Sequence, residues 1–136
     1  MKRIRGFTLI ELMLVVIILG ALVAMIVPRL AGRSEQAKIA VASADVKSNL
    51  SLALDLFELD NGSYPSSEQG LVVLLTKPAG SEVKNWRGPY SKKKPTDPWG
   101  NSYQYRFPSS HGKDYDLFSF GPDGIESDDD IGNWQE

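Results

Sequence analysis

Between Phe7 and Val27 lie 21 consecutive residues of which only Thr8, Glu11 and Gly20 are not A, V, I, L, M or F. A helix of that length rises about 31 Å, the thickness of a bilayer's hydrocarbon core. The run is preceded by MKRIRG, in which Lys2, Arg3 and Arg5 are basic and Gly6 is the last residue. A secretory signal peptide is cut after its apolar segment, at a small-residue site. Here the obvious small-residue junction, Gly6–Phe7, lies before it, so the apolar helix is expected to stay in the mature chain. Glu11 stands near the start of the run, where a plain anchor has no use for a charge. The basic leader predicts an N-in, C-out orientation.

Everything else must fit in a small space. The chain has 136 residues, and about 60 belong to one long helical stretch, which leaves a soluble domain of about 75. A domain of that size commonly needs a disulfide, a metal or assembly to supplement its core. Cysteine is absent, so disulfides and zinc–thiolate sites are excluded. A net charge of −2 gives no basic field for nucleic acid, and none is expected as a partner.

Helical spacing continues beyond the apolar run. Ile39, Ala42, Val46, Leu50, Ala53 and Phe57 recur every three or four residues. Leu52, Leu56 and Leu59 are expected to widen that face, with Lys38, Asp45, Ser48 and Asp55 off it. Asp60-Asn61-Gly62 and Pro65 form a stop signal. The prediction is a helix over Phe7–Leu59, with Gly20, Pro28 and Gly32 as the places where it bends. Ser66-Ser-Glu-Gln69 has capping-box form and predicts a second short helix through about Thr76. Residues 80–100 read as loop. Tyr103, Tyr105 and Phe107 alternate with polar residues as a strand, Pro108–Lys113 make a turn holding His111, and Tyr115–Phe120 return. Eleven of the 13 aromatics lie between Tyr64 and Trp134 and are expected in the core. The expected boundaries are a leader over 1–6, a membrane helix over 7–28, an amphipathic continuation over 29–60 and a globular domain over 61–136.

Two acidic features bear on chemistry. Calcium takes six to eight oxygens around a sharply turning loop. Asp123-Gly124 offers a carboxylate and a turn, and Asp129-Asp130 offers two more carboxylates. This is not the EF-hand spacing, and a solvated acidic loop fits the same residues. Asp55, late on the helix, and the Lys92-Lys93-Lys94 loop are paired as a contact between subunits, against simple solvation of both. No phosphate loop, nucleophile elbow or metal–histidine motif occurs, so catalysis is not expected.

The segment G-F-T-L-I-E-L, running through the apolar stretch to Pro28, resembles the class III leader of the type IV pilin superfamily. Asn61-Gly-Ser-Tyr-Pro65, Asp97-Pro-Trp-Gly-Asn-Ser-Tyr103, Ser119-Phe-Gly-Pro-Asp-Gly124 and Asp129-Asp-Ile-Gly-Asn-Trp134 are similar to the major pseudopilins of type II secretion. The likeness covers essentially the whole chain. It implies a pilin-like α+β fold with the long helix on a small antiparallel sheet. It implies cleavage by a prepilin peptidase between Gly6 and Phe7, with N-methylation of Phe7. It implies calcium held by side chains of Asp123, Asp129 and Asp130 with oxygens of Phe120, Ile125 and Ser127. Glu11 would then meet the methylated amino group of Phe7 on a neighbouring subunit of a homopolymer. The other implied partners are minor pseudopilins, an inner-membrane platform protein and an assembly ATPase, with the globular domain in the periplasm. A surface type IV pilin, or a membrane-tethered calcium-dependent binding module that never polymerises, are the alternatives.

Overall fold

The computed structural model describes residues 6–80 and 83–135. The leader expected over 1–6 therefore lies outside the described residues except for Gly6. Helix α1 spans Leu9–Ala44, a π-helical turn follows over Asp45–Asn49, and α2 spans Leu50–Asn61. Helical geometry runs through Gly20, Pro28 and Gly32, and departs from the α pattern at the π turn instead. The reason lies in the spacing of the buried residues. Ala42, Val46 and Leu50 are all buried, yet two successive steps of four drift about 80° around an α-helix at about 100° per residue. The wider turn absorbs that drift and keeps the three side chains on one side. Ser51 Oγ donates to the Val46 carbonyl at 2.7 Å and occupies an acceptor within the widened turn.

Downstream the buried face is Ala53, Leu54 and Phe57. Leu54 was absent from the expected stripe. Leu52, Leu56 and Leu59, expected to widen it, are 60%, 43% and 77% exposed. Once Leu50, Ala53, Leu54 and Phe57 set the inward direction, those three leucines fall on a flank. The helix ends as the sequence predicts: Gly62 adopts φ 83° and its N–H donates to the Glu58 carbonyl at 2.7 Å.

Two compact units divide between Ala37 and Lys38. In the second, Val46, Leu50, Leu54 and Phe57 pack with Leu71, Val73, Leu74, Val83, Tyr103, Tyr115 and Leu117. Tyr64, Trp86, Tyr90, Tyr105 and Phe107 pack around this cluster, so the aromatics do supply much of the core. The predicted capping box forms: Ser66 N–H donates to Gln69 Oε1 at 2.9 Å, and Gln69 N–H to Ser66 Oγ at 3.2 Å. It caps a single turn. Gly70, at φ 56° and ψ −164°, breaks the helical path, and only a 3-10 turn over Leu71–Leu74 follows.

The sheet is antiparallel with order β1-β2-β3: β1 is Gln104–Arg106, β2 Asp116–Ser119 and β3 Ile131–Gly132. Its first two strands stand where alternation placed them. The third was not foreseen, since two residues inside an acidic segment carry no periodicity. Asn133 extends the pairing: its N–H donates to the Leu117 carbonyl at 3.0 Å, its Oδ1 accepts from Leu117 N–H, and its Nδ2 donates to the Tyr115 carbonyl.

Candidate functional site

At the helix start, Gly6, Phe7 and Thr8 precede the first helical residue. Thr8 caps the helix. Its N–H and Oγ1–H both donate to Glu11 Oε2, at 2.8 and 2.9 Å, and Glu11 N–H donates back to Thr8 Oγ1 at 3.3 Å. This is a capping box, so the lone carboxylate of the apolar segment is held by its own helix terminus. The pattern T-x-x-E before an apolar run signals such a cap, and it assigns Thr8 a role that sequence reasoning passed over. Phe7 is 84% exposed, and the most apolar 18-residue window of the helix is buried against none of the described residues. That helix is long and apolar enough to cross a membrane.

The acidic segment folds into a loop between β2 and β3. Ser127 Oγ lies 3.1 Å from Asp123 Oδ2 and also contacts Asp129 Oδ1. A hydroxyl carries one proton, so two carboxylates and a hydroxyl oxygen share a single hydrogen bond donor here. Asp130 Oδ1 accepts from Ser127 N–H at 3.2 Å, and Asp123 Oδ1 from Ile125 N–H at 3.1 Å. Burial pushes the Asp130 carboxyl up; the Ser127 N–H opposes this, and the charges of Glu126, Asp129 and Asp123 add to it. Asp123, Asp129, Asp130 and Ser127 are thus brought together. Among the described residues no three acidic, histidine or cysteine side chains form a ready-made metal-holding group. The donor set, hard oxygens only, suits calcium, and the shared proton marks the point where positive charge is wanting.

Three further contacts fasten this loop and the segment that follows β3. On β1, Arg106 donates from its one nitrogen Nη2 to both carboxylate oxygens of Glu126, at 2.9 and 3.0 Å, while lying 5.0 Å over the Phe118 ring. Gln135 Nε2 donates to the Asp130 carbonyl at 2.6 Å. His111 stacks on Trp134, ring centres 3.8 Å apart, and its Nδ1 lies 3.0 Å from Asp116 Oδ2. His111 is therefore more than a solvated turn residue, because the turn folds back onto the C-terminal tryptophan. Asp116 is fully buried and accepts from Ser109 Oγ, Ser110 N–H and Ser110 Oγ as well. Burial pushes its carboxyl up, but these bonds together outweigh it and hold the group well below the usual carboxylate range.

Asp55 and Lys92–Lys94 are exposed. Asp55 Oδ1 accepts from the Tyr64 hydroxyl at 3.0 Å, so it is engaged within its own chain without being covered.

The sequence matches the family pattern "Type II secretion system (T2SS), protein G" over residues 29–134, and the "Prokaryotic N-terminal methylation motif" over residues 1–27. The type II secretion system core protein G of Pseudomonas aeruginosa is 52% identical over 135 residues, covering 95% of this chain and 94% of that protein. The protein of the same name from Vibrio cholerae is 47% identical, covering 98% and 94%. The crystal structure of the major pseudopilin from the type 2 secretion system of enterohaemorrhagic Escherichia coli superposes with a TM-score of 0.69. It is 41% identical and the match covers 77% of this chain and 89% of that one. A fold of one long helix on a three-stranded antiparallel sheet, an N-methylation motif and relatives near half identity converge: the chain belongs to the type II secretion system protein G family, the major pseudopilins, and is a structural subunit of the secretion pseudopilus.

Proposed function

We propose that this subunit is cut between Gly6 and Phe7 by a prepilin peptidase, methylated on Phe7, and drawn from the inner membrane into a homopolymeric filament that drives folded proteins through the outer membrane. Minor pseudopilins, a platform membrane protein and an assembly ATPase would act with it, and its globular domain would face the periplasm. No catalytic step is assigned to the chain. The observation that carries this reading is the uncovered apolar helix whose one carboxylate is met, among the described residues, by its own Thr8. Such a helix needs lipid or other copies of itself around it, and Glu11 has a further oxygen to offer a neighbour's amino terminus. Exposed Leu52, Leu56 and Leu59 add an apolar flank for the same contacts. Exposed Asp55 and Lys92 would meet between subunits and set register.

Calcium is the second part of the proposal. When bound, it would supply the positive charge that the loop lacks. Side chains of Asp123, Asp129 and Asp130 would hold it, with oxygens of Phe120, Ile125 and Ser127. The single proton shared by Asp123, Ser127 and Asp129 supports this reading.

Intact-mass measurement of the protein recovered from inner membranes tests the processing step on which the rest depends. The expected mass lacks residues 1–6 and carries one added methyl; retention of Met1 overturns the proposal.

A further inference from the structure

Asp97 is a buried carboxylate, 5% exposed, outside the acidic loop. Its Oδ1 accepts from Trp99 N–H at 3.0 Å and Asn101 N–H at 2.8 Å, which folds residues 97–101 into a tight turn. Its Oδ2 accepts from the Ser119 hydroxyl at 2.6 Å. Ser119 is fully buried at the end of β2, and its Oγ accepts in turn from Gly121 N–H at 3.0 Å. Proton direction along this chain is therefore fixed. A carboxylate only accepts, so the Ser119 proton points at Asp97 and its lone pairs face Gly121.

The last link bears on the loop. The Phe120 carbonyl and the Gly121 N–H belong to one planar trans peptide and point in opposite directions. Holding Gly121 N–H on Ser119 Oγ therefore fixes where the Phe120 carbonyl points, and that oxygen is one of those assigned to calcium. Gly121 itself has φ 71°, and a Cβ there would stand 3.2 Å from the Asp129 carbonyl oxygen, so the loop's two ends meet at this residue. The turn after Asp97 touches the loop a second time, where Asn101 Nδ2 lies 3.5 Å from the place a Gly124 Cβ would take.

We infer that Asp97, acting through the Ser119 hydroxyl, is a positioning residue for calcium in the acidic loop, aiming the Phe120 carbonyl and holding the loop's ends together. The inference rests on the calcium reading above. Neither residue touches the ion; each orders an oxygen that does. Partners of this kind commonly change metal affinity by about 10–100-fold when removed.

The test is calcium titration of the full chain in detergent micelles, by calorimetry, for wild type, Ser119→Ala, Asp97→Asn and Tyr105→Phe. Ser119→Ala deletes the relay. Asp97→Asn offers an N–H₂ to Ser119 where the serine proton needs an acceptor, and so breaks the same link without changing shape. Tyr105→Phe loses the bond from the Tyr105 hydroxyl to the Pro65 carbonyl, at 2.8 Å, remote from the loop, and serves as control. Both relay variants should bind calcium about 10-fold more weakly or worse. Their melting temperature should also rise less on adding calcium, while the control binds as wild type does. A wild-type chain that takes up no calcium removes the calcium reading and this inference with it. A wild-type chain that binds, with relay variants within about twofold of it, leaves calcium standing and overturns the relay. So does a relay variant whose melting temperature in chelator falls while its calcium affinity holds, because that is a purely structural role.

Discussion

Replacing Asp116 by alanine should destabilise the globular unit more than any other single change in a polar residue of the sheet. The carboxylate is fully buried and accepts from Ser109 Oγ at 2.5 Å, Ser110 N–H at 2.9 Å, Ser110 Oγ at 2.7 Å and His111 Nδ1 at 3.0 Å. Ser110 and His111 are exposed enough for their side chains to turn to water. Ser109 Oγ and the Ser110 amide are less free to do so. Two hydrogen bonds to a charge, lost with their donors left partly buried, come to about 2–4 kcal/mol. For a unit of this size that is about 10–30 °C in melting temperature. Asp116→Asn keeps the shape and loses the charge, and should cost about half as much. The pH dependence follows from the direction of the shift. The folded carboxyl titrates below its unfolded value of about 3.9, so its contribution is complete above that pH and is lost as pH falls toward the folded value. The wild-type advantage over Asp116→Asn should thus persist down to about pH 5 and shrink below about pH 4. Near-ultraviolet circular dichroism of the full chain in detergent, followed through melting at several pH values, measures both effects. Melting temperatures for Asp116→Ala and wild type that coincide at pH 7 would refute the reasoning.

Glu11→Ala should insert into membranes as well as wild type, since a charge at bilayer depth costs about 2.5–3.5 kcal/mol on insertion scales, yet give few filaments; wild-type filament yield, counted by electron microscopy, would remove the intersubunit role. Charge reversal of Asp55 should impair assembly, and joint reversal of Lys92 should restore part of it. The pair is exposed and worth only about 0–1 kcal/mol, so cross-linking yield between subunits is the sensitive readout, and additive damage argues against contact. Calcium at about 100 times its dissociation constant should stabilise the fold by about 2.7 kcal/mol, and chelation should expose residues 121–130 to protease. Asp123→Ala should abolish that response, and magnesium, which keeps its waters, should substitute poorly; unchanged proteolysis on chelation of wild type contradicts this.

Much of the fold was legible because its signals are local. The apolar run, the Gly62 stop, the alternation at Tyr103–Phe107 and the Ser66–Gln69 cap each need only a few neighbouring residues. What escaped was set by tertiary context. No local rule announces a π turn at Asp45–Asn49, which answers to the four-residue spacing of Ala42, Val46 and Leu50 against a core not visible in sequence. Leu54 changed places with Leu52, Leu56 and Leu59 for the same reason. The capping box was read correctly and its helix was not, because Gly70 turns the backbone out of the helical region. In the acidic segment the aspartates were identifiable from composition. The roles of Arg106 and Asp97 were not, since their partners Glu126 and Ser119 stand 20 and 22 positions away, and with Asp97 unseen the part of Ser119 beside the loop was not legible either. Residues near the chain's end are also held without a cation, by Asn133, Gln135 and the His111–Trp134 stack, none of which local patterning announces.

The central claim is that this chain is the pseudopilus subunit on which export depends, and the most direct measurement is where exported enzymes accumulate in a strain deleted for it. The account predicts that they are retained, folded and active, in the periplasm of the deletion strain. Supplying the wild-type chain should return them to the medium, and supplying Gly6→Val, which blocks processing, should not. Normal secretion by the deletion strain, or loss of surface pili with secretion intact, would contradict it.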